Sequence, residues 1–317
     1  MQRWKELLDE RLHEAVAVLG AVPGIRGFLV GGSIGRGEAW PMSDIDLLPV
    51  FSAADPDLAA LVHRRDGLAH WWAGSGRAQS LDVGGLAFTA AEVREATAAG
   101  PSWVIARFGE RRWFHGLDKA YGGHAAEPDD QLVAGFAAWI TETRFHPDVV
   151  AARIGVWRQQ ARRCLSEAVE AQEADPGRAT DLMRESARAL RMVLLEEWGE
   201  RMGSMGREWT RFERMARRHG HSQVAARVAE IAGADAYGAA ERARHAPVWL
   251  AERIDLCLAA RQLVGEEVTA AENARDQLAA FTVIVGRHEP HLIGPWIASP
   301  DPRLEVHLAE LADLIDR

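Results

Sequence analysis

The chain has 317 residues, of which 48% are apolar and 26% charged, and its formal net charge is -9. That is globular composition with room for two cores, and it excludes a disordered chain. The negative balance argues against general binding along a nucleic-acid backbone, which depends on clustered cations. No apolar run approaches the ~20 residues that cross a bilayer, so no membrane partner is expected.

Met1 to Leu19 carries charge throughout and lacks the apolar stretch of a secretory signal, so a cytoplasmic location is expected. Cys164 and Cys257 are the only cysteines and stand far apart, which argues against a disulfide framework or a zinc ribbon. His288-Glu289-Pro290-His291 is one residue short of a zincin motif, and its proline would interrupt the helix that motif needs. Lys5 and Lys119 are the only lysines, so a phosphate clamp would be built from arginine or backbone N–H groups.

In chain order, Trp4, Leu7, Leu8, Leu12, Ala15 and Leu19 recur at helical spacing and predict an amphipathic helix over 3–19, ended by Gly20 and Pro23-Gly24. Ile25 to Gly31 and Asp44 to Phe51 read as strands with a glycine-rich turn between them. A helix is expected over 56–72, then a third strand over 77–88. Thr89 with Glu92 forms a capping box for a helix through Ala98, and Arg112 to Gly116 reads as a fourth strand. The polar stretch from Gly122 to Asp130 marks a boundary.

Beyond that boundary nearly every segment has helical periodicity, with Phe281 to Val285 ambiguous. Val149, Val150, Ile154, Trp157, Ala161, Leu165 and Val169 trace one apolar face, and Leu182, Met183, Leu190, Leu194 and Trp198 another. The expected fold is α+β: a small mixed β-sheet domain over 1–128, then an all-α helical bundle over 129–317.

The chemistry is concentrated in residues 31–50. Gly32 and Ser33 sit where a strand gives way to a helical turn, so a phosphate can approach exposed N–H groups, and Ser33 adds a hydroxyl. Asp44 and Asp46 are two apart in a strand, which puts both carboxylates on one face while Ile45 and Leu47 point to the other. Paired carboxylates repel unless a cation sits between them, and such oxygen donors suit Mg²⁺. Asp82, in the next expected strand, is a third acid. If its strand lies beside the second, the three can hold two metals for in-line attack on an α-phosphorus.

Gly32-Ser33, ten residues, then Asp44-Ile45-Asp46 resembles the signature of the DNA polymerase β-type nucleotidyltransferase superfamily. The wording Gly-Ser-x-x-Arg-Gly-Glu and Ser-Asp-Ile-Asp-Leu is especially similar to prokaryotic minimal nucleotidyltransferases and aminoglycoside nucleotidyltransferases. The resemblance implies that 1–128 is a catalytic domain and 129–317 a helical acceptor-binding domain. It also implies that Gly32 and Ser33 hold the triphosphate, that Asp44, Asp46 and Asp82 are catalytic metal ligands, and that Asp82 assists acceptor deprotonation. Two Mg²⁺ ions and ATP or another nucleoside triphosphate are the expected cofactor and substrate.

Other motifs carry less. Gly31-Gly32-Ser33-Ile34-Gly35 matches the nucleophile elbow of serine hydrolases, but too little chain precedes it to build that fold. It is neither a Walker A loop nor a dinucleotide fingerprint. Arg36 stands in the first turn, where a phosphate and Glu38 compete for it. Arg207 and Arg211 open a helix after a Gly/Ser-rich turn, where a triphosphate contact competes with a solvated helix start. Arg214 and His219 have the Arg-x4-His spacing of helical ribonuclease domains.

The expected activity is transfer of a nucleoside monophosphate, AMP from ATP, to a hydroxyl of a small acceptor of the aminoglycoside-antibiotic kind, which suits an acidic protein. Alternatives are a toxin-antitoxin-type nucleotidyltransferase acting on protein or tRNA, and a non-catalytic nucleotide-binding partner protein.

Overall fold

The computed structural model describes residues 3–52, 55–76, 79–128, 130–203, 205–288 and 300–316. The chain forms two compact units, Met1–Ala151 and Ala152–Arg317. All described strands lie in the first, which combines a small mixed sheet with helices.

The first unit runs α1 (Arg3–Gly20), β1 (Ile25–Val30), the short α2 (Gly32–Gly35), β2 (Ile45–Phe51), α3 (Leu58–Gly74), β3 (Leu81–Val83) and β4 (Phe88–Thr89). It continues with α4 (Ala90–Ala99), α5 (Pro101–Ile105), α6 (Arg111–Ala120), β5 (His124–Ala125) and α7 (Gln131–Thr143). The sheet order is β3-β2-β1-β5, with β4 pairing β2 further along. β1 is antiparallel to β2 and to β5, and β2 is parallel to β3 and β4.

Every residue of β2 is buried, as expected of a central strand covered on both faces. Ile45, Leu47 and Phe51 pack with Phe28 and Val30 against α1 and α3 through Leu8, Leu19, Leu61 and Trp72. Leu48 and Val50 point the other way, with Leu29, into a second core made by Val93, Trp113, Leu117, Phe136 and Ile140. Asp46 shares the alternation of Leu48 and Val50 and therefore faces α6 and α7.

Helix α6 corrects the strand expected at Arg112 to Gly116. Its buried residues Trp113, Phe114, Gly116, Leu117 and Ala120 fall at helical spacing. The run Trp-Phe-His imitates strand composition, but in the helix Trp113 lies edge-on to Phe88 at 4.9 Å and to Trp103 at 4.7 Å. The third strand expected over 77–88 is reduced to two short pieces because Gly84, at φ +96°, turns the chain between them. Arg77 and Ala78 lie outside the described residues. The Thr89–Glu92 capping box is formed with both reciprocal bonds. Helix α7, beyond the boundary expected near residue 130, packs on the sheet of the first unit through Val133, Phe136 and Ile140.

Helix α8 (Pro147–Ala171) leads into α9 (Pro176–Glu197), a 3₁₀ turn (Met205–Arg207), α10 (Glu208–Arg218), α11 (Ser222–Ile231) and α12 (Ala236–Ala243). α13 (Val248–Leu263), α14 (Ala270–His288) and α15 (Leu304–Ile315) complete the chain. Phe281 to Val285 falls within α14 and is helical; Glu289 to His291 lie outside the described residues. Met183, Leu190, Trp209, Phe212, Val228 and Leu311 form the main core of this unit. On the face expected for α8, Val169 is instead exposed.

A buried polar knot organises α10 and α14. The carboxylate of Asp276, with no exposed surface, accepts the backbone N–H groups of Trp209 and Thr210 at 3.0 and 3.1 Å, the Thr210 hydroxyl at 2.6 Å and Arg261 Nη1 at 2.8 Å. It thus caps the start of α10 and neutralises a buried guanidinium. Replacing it strands every one of those donors. Asp276→Ala is expected to destabilise this unit by about 3–5 kcal/mol, measured by urea denaturation. Asp276→Asn, which keeps an acceptor oxygen, should lose less.

Candidate active site in the first unit

The site starts from a steric requirement. Gly32 has φ +59°, and a Cβ there would stand 1.6 Å from Asp46 Oδ2. Only glycine lets the turn after β1 close onto the Asp46 carboxylate. The close approach is fixed by the backbone, since Gly31 N–H donates to the Asp46 carbonyl at 2.9 Å. Gly31 is tightly placed as well, because a Cβ on it would meet the Lys119 carbonyl oxygen at 2.6 Å.

The parallel pairing of β2 and β3 sets Asp46 opposite Asp82, with Ile45 opposite Leu81. The two acids therefore share the sheet face that looks toward α6. Lys119, near the C-terminal end of α6, puts its ammonium 2.7 Å from Asp46 Oδ1 and in contact with Asp82 Oδ2. One cation thus bridges the two carboxylates. Asp44 precedes the strand and is exposed, whereas Asp46 is 4% exposed.

Burial, then the charge of Asp44, pushes the Asp46 carboxyl up to about 6; Lys119 pulls it down, and Asp82 adds a smaller upward push. Burial acts to lower Lys119, but Asp46 and Asp82 outweigh it and hold the ammonium above its ordinary value. The arrangement is a carboxylate cluster with too much negative charge and one internal counter-ion.

Ser33, 6% exposed, donates its hydroxyl to Ser43 Oγ at 2.8 Å; Ser43 Oγ in turn accepts Trp40 N–H at 3.0 Å, and Gln79 Nε2 donates to the Ser43 carbonyl at 2.7 Å. This network ties the Gly32-Ser33 turn to the segment entering β2. Arg36 pairs with Glu38 at 3.5 Å.

Arg207, Arg214 and His219 each meet a carboxylate of the second unit. Arg207 is buried and pairs with Glu266 at 3.4 Å; burial, then Arg211, pulls its guanidinium down to about 10 against the opposing pull of Glu266. Arg214 pairs with the same Glu266 at 3.1 Å. His219 instead contacts Glu200 at 3.3 Å and stacks on Trp198. Arg214 and His219 thus engage different partners, as five residues of separation on a helix would direct.

The oxygen-only donors Asp44, Asp46 and Asp82 fit a hard divalent cation by type, and Mg²⁺ needs only one or two protein carboxylates. The position between Asp46 and Asp82 is taken by the Lys119 ammonium. Among the described residues no three His, Cys, Asp or Glu side chains converge as a metal-binding group. The structure therefore joins Asp46 to Asp82 through Lys119, without gathering all three acids. Lys119 is the residue that sequence reasoning missed. The helical spacing of Trp113, Leu117 and Ala120 was the signal that places it.

No family model, curated protein or solved structure matches the chain.

Two outcomes test this geometry. Gly32→Ala should cost at least about 2 kcal/mol, from the left-handed backbone together with the clash on Asp46, read from the urea midpoint. The Asp46 carboxyl, followed by carbon NMR, should titrate near 6, and Asp44→Asn should lower that midpoint. The native state then holds this proton while the unfolded chain has released it. Stability from Asp46 is fully present below about 4 and is lost as pH rises through 6.

Proposed function

We propose that this chain is a metal-dependent nucleotidyltransferase that moves a nucleoside monophosphate, AMP from ATP, onto a hydroxyl of a small acceptor. The observation that carries the reading is the register pairing of Asp46 with Asp82 on one sheet face beside the Gly32-Ser33 turn. It supports a site where an acidic pair and a phosphate-accommodating turn meet.

In this reading Gly32 and Ser33 receive the triphosphate, Asp44, Asp46 and Asp82 hold Mg²⁺, and Asp82, whose side chain is half exposed, also meets the acceptor and takes its hydroxyl proton. The acceptor oxygen attacks the α-phosphorus, the bond to the bridging oxygen breaks, and pyrophosphate leaves. When bound, two Mg²⁺ ions supply charge stabilisation at the entering and leaving oxygens. The net charge of -9 favours a cationic acceptor, of which aminoglycosides are an example.

Calorimetry with ATP, with and without Mg²⁺, tests the reading. Native protein should bind the nucleotide at least about tenfold more tightly with metal, a difference of ~1.4 kcal/mol. The Asp44→Ala, Asp46→Ala double variant should lose that difference. Folded native protein with no metal-dependent binding of ATP, GTP, CTP or UTP would overturn it.

A further inference from the structure

The described residues offer several charged clusters, but one of them has a cation where two acids of the proposed site need one. We propose that Lys119 is a resident counter-ion that a divalent metal must displace, so that metal and ammonium occupy the Asp46–Asp82 pair in turn. The proposal rests on the nucleotidyltransferase reading above and adds a residue to it.

The geometry makes the two cations exclusive. Lys119 Nζ lies 2.7 Å from Asp46 Oδ1 and also touches Asp82 Oδ2. These are oxygens a metal would need, and two cations packed against the same oxygens repel each other strongly in a mostly buried site. Helix α6 is held in the core by its buried Trp113, Leu117 and Ala120, so relief falls to the Lys119 side chain. It has four rotatable bonds and is 24% exposed, so a route to solvent is open.

Exchange of a single positive charge for a double one also couples the metal to its anionic partner. Metal alone must evict an ammonium that is well held. A metal arriving with a triphosphate brings negative charge that the released Lys119 can meet. Metal and triphosphate should therefore bind cooperatively, and Lys119 should be the origin of that coupling.

The scarcity of lysine makes the test direct, since Lys5, which is exposed, and Lys119 are the only two. Native protein is treated with formaldehyde and a borohydride reagent, with and without Mg²⁺ and no nucleotide, and methylation at each lysine is followed by mass spectrometry. Lys119 should react slowly without metal and severalfold faster with it, while Lys5 stays constant. In calorimetry, Lys119→Gln should bind Mg²⁺ alone at least about tenfold more tightly than native protein and lose the cooperativity with triphosphate.

Bound Mg²⁺ with unchanged Lys119 reactivity would overturn the displacement and leave the nucleotidyltransferase reading standing. No Mg²⁺ binding by native or Lys119→Gln protein, with nucleotide or without, would overturn both. If Lys119→Gln does not fold, labelling of the native protein decides alone.

Discussion

The first unit depends on one crowded contact, the Asp46 carboxylate lodged against Gly32 where no Cβ fits. To make it, β1 must end in a left-handed turn, β2 must run antiparallel beside β1, and the segment between them must fold back through the Ser33–Ser43 hydroxyl bond. The carboxylate is then almost dry and surrounded by other acids, so it requires a positive neighbour. Helix α6 supplies it. The aromatic packing of Trp113 and Phe88 thus acts on the site at a distance, by fixing the helix that carries Lys119.

What was legible in the sequence was local. Glycine followed by serine at a strand end, alternation around Asp46, and a threonine three residues before a glutamate each act within a few residues. The pairing of Asp82 with Asp46 depends on strand register across an intervening helix, which no short window contains. Arg112 to Gly116 misled for a related reason. Aromatic residues suit strands and buried helices equally, and only the longer spacing through Ala120 separates the two. Once that stretch is read as a strand, Lys119 has no reason to face the acids.

The second unit shows how arginine-rich sequence can be structural. Glu266 alone serves Arg207, Arg214 and Arg261, and Asp276 serves Arg261 and the start of α10. Arg207, whose place at a helix start suggests a phosphate contact, is here a partner of Glu266. A substitution among these arginines would act first on packing and charge balance within the bundle.

The sheet also ends abruptly on both sides. Its outer strands, β3, β4 and β5, are three, two and two residues long, against six and seven for β1 and β2. Two residues offer too few unpaired N–H and C=O groups to template a foreign strand. The hydrophobic β2 lies inside the sheet, with the six-residue β1 on one side and the short β3 and β4 on the other. The unit is thereby shielded from sheet-to-sheet aggregation without a long charged border.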